Sequence, residues 1–82
     1  MRIEVFGTGC PKCNMLEGTV KKVLSELNLR ADVVKITSID EMVERGLMST
    51  PALAIDGEIV VAGRVPSTVE LREIIQARRG SQ

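Results

Sequence analysis

The sequence is short and balanced in charge. Its 82 residues carry 11 basic and 11 acidic side chains, for a formal net charge of zero, and neither sign forms a long run. This balance argues against nucleic acid and anionic membranes as partners. The one aromatic residue, Phe6, provides no stacking platform for bases or sugars. We therefore expect residues 1–82 to form one small domain with no room for a second catalytic domain.

The first residues predict a location for the protein. Met1 and Arg2 lead directly into a strand-like pattern, without the apolar core of a signal peptide. No stretch approaches the ~20 apolar residues of a membrane span. We expect a cytoplasmic protein. The chain contains one Cys-x-x-Cys motif, at residues 10–13, and in that compartment such an isolated motif is more often catalytic than structural.

The first half of the chain predicts a strand, a helix and a second strand. Alternating apolar residues indicate a strand over residues 2–6, and a glycine-containing loop follows over residues 7–9. A helix with one apolar face is predicted from Pro11 to about Leu27. Asn28 can supply its left-handed end, and residues 31–36 form the second strand. This order favours a right-handed crossover between two parallel strands.

A short helix is predicted next, because Ser38 and Glu41 have the spacing of a capping box and Gly46 can end the helix. We expect its apolar residues to be buried: Ile39, Met42 and Val43. We expect its charged residues to face solvent: Glu41, Glu44 and Arg45.

The last part of the chain predicts a hairpin and a helix. Strands over residues 52–55 and 58–62 flank Asp56-Gly57, a strong hairpin signal. Ser67 and Glu70 have the spacing of a second capping box. The apolar side of this last helix is predicted to comprise Val69, Leu71, Ile74 and Ile75.

The two cysteines, Cys10 and Cys13, lie about one helical turn apart at the start of the first helix. Cys10 takes the N-cap position and Pro11 the first helical position, where a missing N–H costs nothing. The free amides, the helix dipole and the Lys12 ammonium all favour a thiolate at Cys10. We therefore expect Cys10 to be the nucleophile and Cys13 the resolving thiol, while the Thr8 hydroxyl can donate a hydrogen bond to the thiolate.

Two other uses of the cysteine pair are a permanent structural disulfide and half of a zinc site. A disulfide across two intervening residues restrains the unfolded chain little. Zinc needs about four ligands, and the chain has no histidine and no third cysteine. We therefore favour redox chemistry, with the Cys10–Cys13 disulfide as the redox centre, no other cofactor and no metal.

Three segments in order, residues 7–13, 49–53 and 62–67, resemble the thioredoxin-like superfamily, and specifically its small thioredoxin-like or glutaredoxin-like redox-active disulfide proteins. The resemblance covers nearly the whole chain. It implies an α/β fold with the order β-α-β-α-β-β-α. The implied sheet is mixed and four-stranded, in the order 2-1-3-4, with strand four antiparallel to the rest and three helices on its faces.

The resemblance also implies roles for residues outside the Cys-x-x-Cys motif. Pro51 is expected to be a cis-proline beside the disulfide, and the Thr50 backbone is expected to pair with an extended client segment. Gly63 is expected on the rim of the same groove. Glu4 falls where thioredoxins keep a buried acid that assists the resolving thiol, but the strand pattern favours a solvent-facing glutamate.

We expect a thiol-disulfide oxidoreductase, an electron carrier that reduces disulfides of client proteins and is reset by a reductase of the thioredoxin-reductase type. A monomer is expected. Two alternatives are a chaperone that carries copper or zinc on the cysteine pair and a dithiol glutaredoxin that uses glutathione. Thr8 stands where such metal chaperones usually have methionine, and residues 62–65 lack the Gly-Gly and acidic segment with which glutaredoxins bind glutathione.

Overall fold

The structure, a computed structural model, describes residues 1–9 and 11–80, with the side chains of residues 79 and 80 left out. The helices and strands follow the predicted order. They are β1 Arg2–Phe6, α1 Pro11–Glu26, β2 Asp32–Ile36, α2 Ile39–Glu44, β3 Ala52–Ile55, β4 Glu58–Ala62 and α3 Thr68–Gly80. Within the described residues, no helix combines the length and the apolarity needed to cross a membrane.

The four strands form one mixed sheet in the order β2-β1-β3-β4, which confirms the predicted α/β architecture. The predicted direction of the strands was wrong in one respect. The strand that opposes the others is β3, which runs antiparallel to both β1 and β4, whereas β1 and β2 are parallel. The chain enters β3 beside the end of β1, with Ala52 opposite Phe6, so β3 must run back along β1. The hairpin then reverses the chain again, and β4 points the same way as β1.

The hairpin between β3 and β4 is the one predicted from Asp56-Gly57. Both residues have positive φ angles, 49° and 88°, as the two-residue turn that matches the twist of paired strands requires. The Asp56 carboxylate accepts a hydrogen bond from the Arg2 amide at 2.8 Å. This bond ties the turn to the first residue of β1.

The sheet separates two apolar clusters. The larger cluster joins β1 and β3, through Ile3 and Leu53, to buried side chains of α1 and α3. The smaller cluster lies on the opposite face and contains Phe6, Met42 and Leu47. Helices α1 and α3 therefore cover one face of the sheet, and α2 with the segment after it covers the other.

Both predicted capping residues are confirmed, but three predicted burials are wrong. The Ser38 and Ser67 hydroxyls accept hydrogen bonds from the amides three residues later. In α2 only Met42 is buried, because a helix of six residues turns one side chain towards the sheet, and Ile39 and Val43 beside it are 65% and 66% exposed. In α3 the buried side chains include Leu71 and Ile75, while Val69 is 58% exposed.

Candidate functional site

Cys13 lies in the first turn of α1, which begins at Pro11 as predicted. It is 5% exposed and disulfide-bonded. Cys10 lies outside the described residues, so its N-cap position, its role as nucleophile and its pairing with Cys13 stay predictions. Thr8 and Lys12 are both exposed, and their stabilising effect on a Cys10 thiolate likewise stays a prediction.

Gly7 makes the close approach of α1 to the end of β1 sterically feasible. A Cβ atom built on Gly7 would overlap the Cys13 sulfur and would lie 2.7 Å from the Cys13 Cβ. The Gly7 amide donates a hydrogen bond to the Ile36 carbonyl at 3.0 Å, which keeps the loop attached to β2. Sequence reasoning treated Gly7 only as a loop glycine, because nothing in the local pattern reports which side chain faces it.

The segment before β3 brings together two residues that the resemblance singled out. The Thr50–Pro51 peptide bond is cis, as the resemblance implied, and Pro51 is buried. The Pro51 carbonyl accepts a hydrogen bond from the Gly63 amide at 2.8 Å. Gly63 has a φ of 78°, and a Cβ there would lie 3.0 Å from the Ser49 hydroxyl oxygen. The buried Pro51 and the exposed Gly63 are therefore held side by side.

Thr50 directly precedes Pro51 at the surface, and its backbone is not engaged in the sheet. The residue is exposed, and no backbone–backbone hydrogen bond among the described residues engages its amide or carbonyl. An exposed amide and carbonyl next to a strand can bind a further extended chain by β-strand addition.

An apolar cavity of about 680 Å³, named here the α2 groove, opens beside Thr50. Its lining comes from the loop after β1, from α2 and from the segment after α2: Thr8, Ile39, Met42, Val43, Gly46, Leu47, Met48, Ser49 and Thr50. Three of these side chains, Ile39, Val43 and Met48, are large apolar groups that are 65–98% exposed. The groove has no signal in the sequence, because the pattern of α2 predicts that its apolar residues lie in the core.

The buried Glu4 and the half-buried Arg45 form an ion pair that was not predicted from the sequence. Glu4 is 5% exposed, so the expectation of a solvent-facing glutamate was wrong. The two terminal guanidinium nitrogens of Arg45 donate hydrogen bonds to the Glu4 carboxylate, each at 3.1 Å. The guanidinium carbon lies 5.2 Å from the centroid of the Phe6 ring. Arg45 is therefore not on a solvated face, because a carboxylate on the sheet beneath α2 draws its side chain inward.

The ion pair with Arg45 keeps the Glu4 carboxyl ionised. The hydrogen bonds from Arg45 lower the pKa of the Glu4 carboxyl, and the charges of Arg45 and Arg2 act in the same direction against the opposing effect of burial. The same contact raises the pKa of Arg45. Both groups therefore stay ionised at neutral pH.

The described residues contain no group of three or more His, Cys, Asp or Glu side chains placed to hold a metal ion. Cys10, one of the two cysteines of the alternative metal site, lies outside that part of the chain.

The chain matches the family model described as "Thioredoxin domain" over residues 1–76. It is 41% identical over 75 residues to a thioredoxin from Methanothermobacter thermautotrophicus, covering 92% of this chain and 97% of that protein. It is 43% identical over 75 residues to a thioredoxin from Methanocaldococcus jannaschii, covering 92% and 86% of the two chains. The structure of thioredoxin 1 from Thermosipho africanus superposes with a TM-score of 0.68 at 16% identity, covering 98% of this chain and 96% of that one.

Proposed function

The chain belongs to the thioredoxin family, and we propose that it is a thiol-disulfide oxidoreductase that reduces protein disulfides through Cys10 and Cys13. The observation that carries the proposal is the shared lining of the α2 groove. Thr8, two residues before Cys10, and Thr50, directly before the cis Pro51, border the same groove. A client chain paired with the Thr50 backbone would therefore run past the segment that leads into Cys10.

In the proposed reaction, the Cys10 thiolate attacks one sulfur of the client disulfide. A Cys10–client disulfide forms, and the other client sulfur leaves as a thiolate. The Cys13 thiolate then attacks the Cys10 sulfur, which closes the Cys10–Cys13 disulfide and releases the second client thiolate. Two electrons pass to the client, and a reductase of the thioredoxin-reductase type resets the pair. The burial of Cys13 supports its role as the resolving thiol, since an external disulfide has little access to it.

Thr50, Pro51 and Gly63 form the proposed client-binding site, in which Thr50 and Gly63 are exposed and the buried Pro51 joins them. The Thr50 amide and carbonyl would hold the client backbone, and Gly63, which has no side chain, leaves room for it beside Pro51. An apolar client side chain next to the disulfide would enter the α2 groove. A cytoplasmic location, a monomeric state and service as an electron carrier belong to this proposal.

Neither alternative function gains support from the comparisons. The relatives are named thioredoxins, and neither name mentions glutathione or a metal. The observed order is β-α-β-α-β-β-α, whereas metal chaperones with Cys-x-x-Cys after the first strand have the order βαββαβ.

Trapping experiments test the proposed roles of the two cysteines. Reduced Cys13→Ser protein, mixed with insulin as a disulfide client, should accumulate a mixed disulfide detectable by intact mass under non-reducing conditions. Reduced Cys10→Ser protein should neither reduce insulin nor trap it. If Cys10→Ser forms the adduct and Cys13→Ser does not, the nucleophile is Cys13 and the assignment is reversed.

A further inference from the structure

The Glu4–Arg45 pair joins the central strand to the end of a short helix. Arg45 is the C-cap residue of α2, and its amide donates to the Glu41 carbonyl at 3.1 Å. Its side chain turns inward, makes the double hydrogen bond to Glu4 and covers the Phe6 ring. The Glu4 side chain is 7% exposed and that of Arg45 is 28% exposed, so the contact is largely shielded from water.

Helix α2 has few other anchors on the sheet. Met42 is its one buried residue, and Ile39 and Val43 face outward. Leu47, just beyond the helix, is also buried, and its amide donates to the Met42 carbonyl at 2.9 Å. The end of α2 is therefore held by two apolar side chains and by the ion pair of Arg45.

The surroundings of the Glu4 carboxylate make Arg45 its main partner. Its register partners on the neighbouring strands are Val34 and Ala54, which offer no charge to the carboxylate. The cations that face it are Arg45, through the double hydrogen bond, and Arg2, at 3.9 Å on the same strand. Removing Arg45 would leave the buried carboxylate with one exposed cation, Arg2, and without its double hydrogen bond, a costly arrangement.

The position of Arg45 affects the client surface directly. The chain between Arg45 and Pro51 consists of five residues, 46–50, and every one of them lines the α2 groove. A shift of the helix end would therefore change the width of the groove and the placement of Thr50 together.

We propose that Glu4 and Arg45 are positioning residues. Their ion pair fixes the end of α2 on β1 and thereby determines the width of the α2 groove and the placement of Thr50 for protein clients. The inference rests on the proposed function. It assigns Glu4 a role other than the transfer of a proton to or from Cys13. Each carboxylate oxygen of Glu4 already accepts a hydrogen bond from Arg45, and protonation of the carboxylate would disrupt this pair of hydrogen bonds.

The test compares a large and a small disulfide as oxidants of the reduced protein. Second-order rate constants are measured with insulin and with bis(2-hydroxyethyl) disulfide, by acid quenching, alkylation and intact mass, across the pH range where thiols ionise. The variants are Arg45→Met, Arg45→Lys, Glu4→Gln and the double variant Glu4→Gln/Arg45→Met. Arg72→Met is the matched control, since Arg72 pairs with Glu26 at 2.6 Å in an exposed contact between α3 and α1. Circular dichroism establishes that each variant is folded.

We expect Arg45→Met and Glu4→Gln to lower the insulin rate constant roughly tenfold, less than the ~100-fold that misplacing a reacting group by 1 Å can cost. The rate constant and pH profile with the small disulfide should not change. Arg45→Lys should recover part of the insulin rate, and the double variant should be no slower than the worse single variant. Arg72→Met should match the wild type. The double variant, which leaves no unpaired buried charge, carries the test if Arg45→Met does not fold.

Two results would overturn the inference. If Glu4→Gln slows the reaction with the small disulfide and shifts its pH profile, Glu4 acts in proton transfer. If the folded variants keep the wild-type insulin rate, or lose both rates equally, the pair does not set the groove. A wild-type protein that reacts with neither disulfide would instead contradict the proposed function itself.

Discussion

Gly7 and Cys13 lie in such close contact that a Cβ atom on Gly7 would overlap the Cys13 sulfur. The contact joins the end of the central strand to the first turn of α1. Because Gly7 has no Cβ atom, Cys13 can occupy its buried position against the end of β1. The position of Cys13 therefore depends on Gly7, as well as on its own helix.

Gly7→Ala should destabilise the protein. The added Cβ overlaps Cys13, and overpacking of this kind costs about 1–3 kcal/mol. Gly18→Ala is the matched control, since Gly18 is an exposed residue of α1 with nothing within 4 Å of an added Cβ. That variant should gain about 0.5–1 kcal/mol. Urea unfolding followed by circular dichroism measures both, because the chain has no Trp or Tyr for fluorescence. Equal stability of the two variants would contradict the close contact.

The Glu4–Arg45 pair should contribute stability that acid removes. The pKa of Glu4 is lowered by Arg45 in the folded protein, so the contribution is complete above the ordinary carboxyl value of 4.5 and is lost as the pH falls through the lowered value. The difference in unfolding free energy between wild type and Glu4→Gln should be largest near neutral pH and should shrink as the pH falls below 4.5. Urea titrations at a series of pH values measure it. A difference that stays constant over that range would contradict the ion pair.

Exposed apolar residues of the α2 groove should contribute to the reaction with protein clients more than to stability. Val43→Ser and Met48→Ser remove side chains that are 66% and 98% exposed, so the unfolding free energy should change by less than about 0.5 kcal/mol. The rate of insulin reduction should fall several-fold. Val69→Ser on α3 is the control, with a side chain that is 58% exposed and outside the groove lining. A similar loss of rate in Val69→Ser would show that the groove has no special part in client binding.

The N-terminal cap of α3 should contribute measurably to the free energy of unfolding. The Ser67 hydroxyl accepts the Glu70 amide at 3.1 Å, and Ser67→Ala should cost about 1 kcal/mol. Ser67→Asp, which keeps an acceptor at the same position, should lose little. Urea unfolding of the two variants compares them. An equal loss in both would mean that the hydrogen bond is not what stabilises the helix start.

The order of helices and strands could be predicted from the sequence because each has its own local signal. The structure has the turn at Asp56-Gly57 and the helix caps at Ser38 and Ser67, as predicted. The orientation of β3 has no local signal, since a hairpin requires only that β3 and β4 oppose each other. Which of the two opposes β1 is decided by where the chain enters the sheet.

The site was predictable only in part. The cysteine motif and Pro51 have local or family signals, and the cis bond agrees with the family pattern. The burial of Glu4 depends on Arg45, 41 residues further along the chain, and no pattern within β1 reveals that partner. The exposure of Ile39 and Val43 depends on how a short helix sits on the sheet, which periodicity does not determine.

The most direct test of the proposed function is a redox titration of the pure protein. The protein is equilibrated in graded thiol-disulfide buffers, alkylated at low pH and analysed by intact mass, with metal content measured on the same sample. We predict a metal-free protein with one two-electron transition between roughly −200 and −300 mV, in which Cys10 is alkylated before Cys13. A pair that does not close reversibly, or a stoichiometric metal ion held on the two thiolates, would contradict the proposed function.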